Sequence, residues 1–81
     1  MWTEQDNQLT QRFKFRDFKQ AFAFMTEVAV VAEELNHHPW WSNSCNRVEI
    51  RLTTHDAGNT VTEKDHLLAQ RISALAERCN A

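Results

Sequence analysis

The segment of residues 48–53 constrains the fold most, because its side chains alternate strictly between apolar and polar character. The apolar positions are Val48, Ile50 and Leu52, and the polar positions are Glu49, Arg51 and Thr53. This period of two is typical of a β-strand with one face on a hydrophobic core and the other toward solvent. Such a strand predicts a sheet that a second layer of structure covers on one side.

Two amphipathic helical segments are predicted to supply that second layer. The first begins at Asp17, an acidic cap with Gln20 three residues later, and runs to about Asn36. Its apolar face is expected to contain Phe18, Ala21, Phe22, Met25, Val28, Ala29, Ala32 and Leu35. The second helix follows Thr62, which has Asp65 three residues later as a cap signature. Its apolar stripe contains Leu68, Ile72, Leu75 and Cys79. Both apolar faces are expected in the core.

Three further strands complete the predicted sheet. Residues 13–16 alternate apolar and charged side chains, and residues 2–5 form the other arm of a hairpin that turns at residues 6–7. Residues 41–45 precede the clearest strand as its partner. The order strand, strand, helix, strand, strand, helix predicts an α+β two-layer domain. In it, two helices pack on one face of a four-stranded antiparallel sheet.

The chain is too short for more than one hydrophobic core. Its 81 residues, 42% of them hydrophobic, are predicted to form a single domain over residues 1–81. A domain of this size buries a smaller fraction of its surface than a large one does, so we expect a homo-dimer or tetramer. A dimer can form by pairing an exposed sheet edge, for which residues 48–54 are the longest candidate. A tetramer can form through apolar residues exposed on the first helix, for which the candidates are Phe24 and Val31.

Charge and hydropathy argue against two classes of partner. A net charge of -2 and a pI near 6.0 do not fit direct nucleic-acid binding, which needs many cationic side chains. No apolar run approaches the roughly 20 residues that cross a bilayer, and the first residues lack the features of a signal peptide. We therefore expect a soluble cytoplasmic protein in which Cys45 and Cys79 are reduced thiols.

Three of the four histidines lie where regular structure is predicted to end. His37 and His38 stand before Pro39 after the first helix, and His55 follows the clearest strand just before a turn at Gly58. Imidazole both gives and takes protons near neutral pH, so a cluster of histidines suits acid–base chemistry. Trp40 or Trp41 can supply a flat apolar wall for a planar ligand.

Two other interpretations of these histidines remain open at this point. His37 and His38 can simply cap the C-terminus of the first helix, with His55 exposed in a turn. Three histidines and a water also form the zinc site of some enzymes. Adjacent histidines converge on one ion less readily than histidines one helical turn apart, and the chain has no His-Glu-x-x-His motif. We therefore predict a site without a metal.

Several segments of the chain resemble the pterin-4a-carbinolamine dehydratases. They are residues 33–41 (EELNHHPWW), 46–56 (NRVEIRLTTHD), 62–65 (TEKD), 68–69 (LA), 13–15 (FKF) and 18–25 (FKQAFAFM). The combination of His-His-Pro with a tryptophan two places later and Thr-His-Asp after a strand is specific. The resemblance covers nearly the whole chain.

The resemblance implies an activity and a set of site residues. Members of this family convert 4a-hydroxytetrahydropterin, left by aromatic amino-acid hydroxylases, to quinonoid dihydropterin and water, without a cofactor. It implies catalytic roles for His37, His38 and His55 and substrate-binding roles for Glu33, His37, His38, Pro39, Trp41, Thr54, His55, Asp56 and Ala57. Among these, we assign acid–base chemistry to His37 and His55 and orientation to His38. His66 matches no functional position.

The same resemblance leaves two alternatives to this reaction. Animal relatives also act as dimerisation cofactors of transcription factors, so the chain can be a non-catalytic binding module. It can also act on another pterin, such as a molybdopterin intermediate. The intact set of three histidines favours an enzyme over a pure adaptor.

Overall fold

A computed structural model describes residues 1–80 and contains four strands and two long helices. In chain order these are β1 (Thr3–Gln5), β2 (Gln8–Lys14), α1 (Phe18–Glu34), β3 (Trp40–Ser44), β4 (Arg47–Leu52) and α2 (Glu63–Cys79). A short 3-10 helix, His55–Ala57, lies between β4 and α2. The predicted order of elements and the α+β class are confirmed.

The four strands form one antiparallel sheet in the order β1-β2-β4-β3. Strand β4 lies in its interior, with Val48 opposite Phe13 of β2 and Ile50 opposite Trp41 of β3. Residues 48–54, the longest candidate for an exposed edge, therefore do not form one, and the edge strands are β1 and β3. Strand β4 is the most apolar of the four. Because it is paired on both sides, its inward side chains lie in the middle of the core.

The core lies between the sheet and the two helices. The inward residues of β4, Val48, Ile50 and Leu52, are at most 1% exposed. They belong to one cluster with residues of β2, α1 and α2. Leu68 and Ile72 of α2 are also fully buried, as its predicted stripe required.

The core face of α1 overlaps in part with the predicted one: Ala21, Val28 and Ala32 are buried, and Met25 and Leu35 pack against the core, as predicted. Its buried residues are Ala21, Phe24, Val28, Val31 and Ala32. Phe18, Phe22 and Ala29, predicted to be buried, are exposed, whereas Phe24 and Val31, predicted at the surface, are buried. The helix is apolar on more than one side, so its periodicity does not select a single face. The rings of Phe13 and Phe15 hold Phe24 in place, with centroids 5.1 and 4.8 Å away.

Caps at both helix N-termini follow the predicted pattern. The backbone N–H of Gln20 donates to Asp17 Oδ1 over 2.8 Å, and Thr62 and Asp65 form a capping box at α2. Cys45 and Cys79 are free thiols, as predicted. No helix within residues 1–80 combines the length and apolar character needed to cross a bilayer.

Candidate active site

The C-terminal end of α1 places the first two histidines. Leu35 caps the helix, and Asn36 then adopts a left-handed backbone with φ of 52°. Asparagine tolerates this conformation better than most residues. The N–H of His37 donates back to the carbonyl of Ala32 over 3.0 Å, so the chain leaves the helix in a fixed direction.

A tight turn after β4 places the third histidine. The N–H of Thr54 donates to the carbonyl of Thr60 over 2.9 Å and closes a loop around His55. The loop reverses at Gly58, whose φ of 78° lies in the left-handed region that favours glycine. This geometry brings His55 to the same edge of the domain as the end of α1.

The three histidines line one cleft of about 520 Å³. Its walls are formed by Gln8, Asn36, His37, His38, Pro39, Trp40, Arg51, Thr53, Thr54, His55, Asp56 and Lys64. The structure therefore brings together six of the predicted site residues: His37, His38, Pro39, Thr54, His55 and Asp56. This arrangement goes beyond simple capping of α1, because residues from β4 and from the following turn complete the wall.

Behind the cleft lies one buried carboxylate, Asp65, which is 0% exposed. Its Oδ1 accepts a hydrogen bond from His37 Nε2 at 2.6 Å. Its Oδ2 accepts from the Thr54 hydroxyl at 2.7 Å and from the Thr62 backbone N–H at 2.8 Å. Three donors thus compensate the loss of water around this group.

The surroundings of Asp65 favour its ionised form. Burial alone raises the pKa of this carboxyl. The hydrogen bonds from His37, the Thr62 backbone and Thr54 outweigh that effect and lower the pKa below its usual value. A carboxylate that stays negative near neutral pH holds the ring of His37 through its Nε2.

Each histidine of the cleft is held through one ring nitrogen by a side-chain oxygen. The pairs are His37 with Asp65 at 2.6 Å, His38 with Glu33 at 2.8 Å, and His55 Nδ1 with Asn59 at 2.7 Å. Because oxygen is the acceptor in each pair, the bonded nitrogen carries the hydrogen. The second nitrogen of each ring is then available to take a proton, or to give one when the ring is charged.

The three pairs differ strongly in burial. The side chain of His37 is 11% exposed, whereas those of His38 and Glu33 are 58% and 80% exposed. A solvent-exposed pair contributes little stability, so Glu33 orients His38 weakly, whereas Asp65 fixes His37. Glu33 thus contacts only one histidine of the cluster and does not line the cleft.

Two further predicted site residues, Trp41 and Ala57, do not line the cleft, and one residue whose contact with His37 was not predicted, Asp65, lies behind it. Trp40 lines the cleft, whereas Trp41 points to the other face of β3 and packs against the core. Ala57 follows His55 in the 3-10 helix but does not line the cleft. The role of Asp65 was missed because the capping pattern at Thr62 already explained an acid at that position. The sequence did contain a signal for this contact: a buried strand is followed by Thr-His-Asp and then by a capping box.

A larger groove of about 910 Å³ lies beside β2 and α2. It contains Trp2, whose indole N–H donates to Ser73 Oγ over 2.8 Å, and a single histidine, His66. Its acidic residues Glu4 and Glu77 are exposed. The smaller cleft, in contrast, holds the three remaining histidines and is backed by the buried carboxylate of Asp65.

Over residues 1–80, no group of three or more His, Cys, Asp or Glu side chains is arranged to hold a metal ion. The cleft histidines use ring nitrogens on separate partners, Asp65, Glu33 and Asn59. The prediction of a metal-free site stays a prediction, which chelation tests.

Comparisons with known proteins give the family. The family model described as "Pterin 4 alpha carbinolamine dehydratase" matches residues 1–75. A protein of Nitrobacter winogradskyi is 52% identical over 71 residues, which cover 88% of this chain and 69% of that protein. One of Solibacter usitatus is 52% identical over 75 residues, covering 93% and 78%. Both are named "Putative pterin-4-alpha-carbinolamine dehydratase".

Two solved structures have the same fold. One is a "transcriptional coactivator/pterin dehydratase" from Brucella melitensis, with 45% identity and a TM-score of 0.87, covering 93% of this chain and 81% of that one. The other is a "pterin dehydratase-like protein" described as "a RuBisCO assembly factor in the alpha-carboxysome". It has 31% identity and a TM-score of 0.80, covering 93% and 88%. From the family model and these relatives, the chain belongs to the pterin-4-alpha-carbinolamine dehydratase family.

Proposed function

We propose that the protein removes water from 4a-hydroxytetrahydropterin to give quinonoid dihydropterin. The observation that carries this proposal is the pair formed by His37 and the buried Asp65, which stands in one cleft with His38 and His55. An ionised carboxylate buried behind a histidine costs free energy unless it is fully hydrogen-bonded. Its presence at the cleft favours a catalytic role for His37.

The reaction needs two proton transfers and no change of oxidation state. The bond between C4a and the hydroxyl oxygen breaks, and that oxygen leaves as water after it accepts a proton from an acid. The proton on N5 passes to a base, and its electron pair forms the double bond between N5 and C4a. Two imidazoles, one charged and one neutral, can supply the acid and the base.

His37 and His55 carry these two roles in our proposal. Asp65 holds His37 through its Nε2, and Asn59 holds the Nδ1–H of His55 so that its Nε2 is free to act. The exposed indole of Trp40 provides a flat wall for the planar pterin ring. His38, which Glu33 contacts at the surface, binds and orients the substrate.

The remaining substrate-binding assignments have different support. Pro39, Thr54 and Asp56 line the cleft, which supports contact with the ring. Trp41 and Ala57 are assigned from the family resemblance alone, and Trp40 takes the place of Trp41 at the wall. An aromatic amino-acid hydroxylase is the class of enzyme that would supply this substrate. We place the reaction in the cytoplasm, where thiols such as Cys45 and Cys79 stay reduced.

A non-catalytic assembly role is the second candidate. One structural neighbour is described both as coactivator and as dehydratase, and another is described as an assembly factor. Such a role has no need of an ionised Asp65 held against His37, so the geometry favours the enzyme. A dehydratase that acts on another pterin, such as a molybdopterin intermediate, would use the same residues.

The test is the dehydration rate of 4a-hydroxytetrahydropterin generated in situ, measured with and without the pure protein in EDTA. We expect clear acceleration, with a loss of about 100- to 10,000-fold in the His37→Ala and His55→Ala variants. His66→Ala, a surface histidine outside the cleft, is the matched control and should keep full activity. A rate no faster than the spontaneous one would refute the proposal, and activity that zinc restores after EDTA would support a metal site.

A further inference from the structure

Two permanent cations line the cleft together with the three histidines. Arg51 comes from β4 and Lys64 from the first turn of α2. Among the residues that line the cleft, Asp56 is the single carboxylate. The lining of the cleft therefore contains two cationic side chains and one carboxylate besides its histidines.

The guanidinium of Arg51 is held in a defined orientation. It lies over the ring of Trp40, with its central carbon 4.6 Å from the ring centroid. Its Nε and Nη2 both approach Glu49 Oε2 at 3.0 Å. The side chain is still 42% exposed, and both hydrogens of Nη1 remain available for a ligand. A fixed planar fork of this kind is suited to the oxygens of a phosphate or a carboxylate.

Lys64 is a free cation at a position where the helix itself does not favour one. It forms no ion pair with any carboxylate in residues 1–80. It also stands in the first turn of α2, where the helix dipole favours negative side chains such as those of Glu63 and Asp65. An anion bound in the cleft explains a lysine at this position better than the stability of the helix does.

The acidic side chains around the cleft satisfy these cations only in part: Glu49 pairs with Nε and Nη2 of Arg51 and leaves its Nη1 free, and no carboxylate in residues 1–80 pairs with Lys64. Asp65 is bound to His37, Glu33 to His38 and Glu49 to Arg51. The pterin ring has no net charge that would pair with Nη1 of Arg51 or with the ammonium of Lys64. A negatively charged group on the side chain of the pterin would pair with both.

We propose that the natural substrate is a pterin with a phosphate or carboxylate on its side chain, bound by Arg51 and Lys64. This inference rests on the proposed function, since it names the substrate class of the same site. The ring lies toward the histidines, and the anionic group lies where β4 and the start of α2 meet. Arg51 and Lys64 then determine specificity and take no part in the proton transfers.

Calorimetric titration with a matched pair of stable pterins tests this inference. The probes are 7,8-dihydroneopterin and its monophosphate, which differ only in the phosphate. We expect the monophosphate to bind about 10- to 100-fold more tightly at low salt, because charge-assisted hydrogen bonds to the phosphate are added. The ratio of the two affinities should fall as the salt concentration rises.

Variants decide whether these two cations cause the preference. Arg51→Gln and Lys64→Gln should each lower the affinity ratio, and the double variant should bring it near one. Arg47→Gln and Lys14→Gln are the controls, because both remove an exposed cation that does not line the cleft. Equal affinity of the wild type for both probes would overturn the inference, as would a ratio that survives in the double variant. Dehydration of a neutral 4a-hydroxytetrahydropterin, measured on the same protein, shows separately whether the proposed reaction stands.

Discussion

Replacement of Asp65 by asparagine is expected to inactivate the cleft by reversing the tautomer of His37. In the wild type, Oδ2 accepts from the backbone N–H of Thr62, which can only donate. The amide oxygen of the substituted side chain must therefore stay at that position. The amide NH₂ then faces His37 Nε2, which in the wild type donates to Oδ1 over 2.6 Å. His37 must now accept there and carry its hydrogen on Nδ1, the ring nitrogen that is otherwise available for proton transfer.

The expected magnitudes follow from this geometry. The dehydration rate should fall by about 100- to 10,000-fold, the range for loss of one positioned acid or base. The free energy of unfolding should fall by only about 1 to 3 kcal/mol, because the amide keeps the bond to Thr62 and loses the charge. The domain should therefore remain folded at room temperature.

Three measurements on Asp65→Asn check this reasoning. The dehydration rate and chemical denaturation give the two magnitudes, and nitrogen NMR of the histidine rings reports the tautomer of His37. Asp17→Asn is the matched control, because asparagine caps a helix as well as aspartate does and the site is exposed. Full activity in Asp65→Asn, or an unchanged tautomer of His37, would refute the role assigned to this carboxylate.

The remaining predictions concern acid stability, core packing and assembly. Because the pKa of Asp65 is lowered in the folded state, its contribution to stability is complete above the unfolded value of about 4 and is lost as pH falls through the folded value. Denaturation at several pH values should show that loss in the wild type and not in Asp65→Asn; parallel curves would contradict it. Phe24→Ala should cost about 3 to 5 kcal/mol of unfolding free energy and Phe22→Ala less than about 1, since Phe24 is 0% and Phe22 54% exposed. Equal losses in denaturant would contradict the assigned core face. Light scattering at micromolar concentration should give at least twice the 9.5 kDa chain mass, because two sheet edges and the apolar Phe18 and Phe22 are exposed; a monomer would contradict this.

The fold was largely predictable because its signals are local. Alternation in β4 and the cap residues Asp17 and Thr62 lie within a few residues of the elements that they define. The errors arose where the outcome depends on distant partners. The central place of β4 depends on pairing with both β2 and β3, which its own sequence does not reveal.

The histidines of the candidate site could be predicted from the sequence, but the side chain that holds the ring of His37 could not. His37, His38 and His55 stand in motifs that the sequence displays, whereas the contact of Asp65 with His37 joins residues 28 positions apart. Trp40 lines the cleft, whereas Trp41, which the family resemblance assigns to the substrate, packs against the core. Neighbouring residues of a strand point to opposite faces, and the sequence alone did not decide which of the two tryptophans lines the cleft.

The structure of a complex with an unreactive dihydropterin tests the central claim most directly, because it shows which of the two cavities binds the ring. We predict that the ring lies against Trp40, with His37 and His55 within hydrogen-bonding distance of the region of N5 and C4a. Binding in the larger groove beside Trp2 and Ser73, with the histidine cleft empty, would contradict this claim.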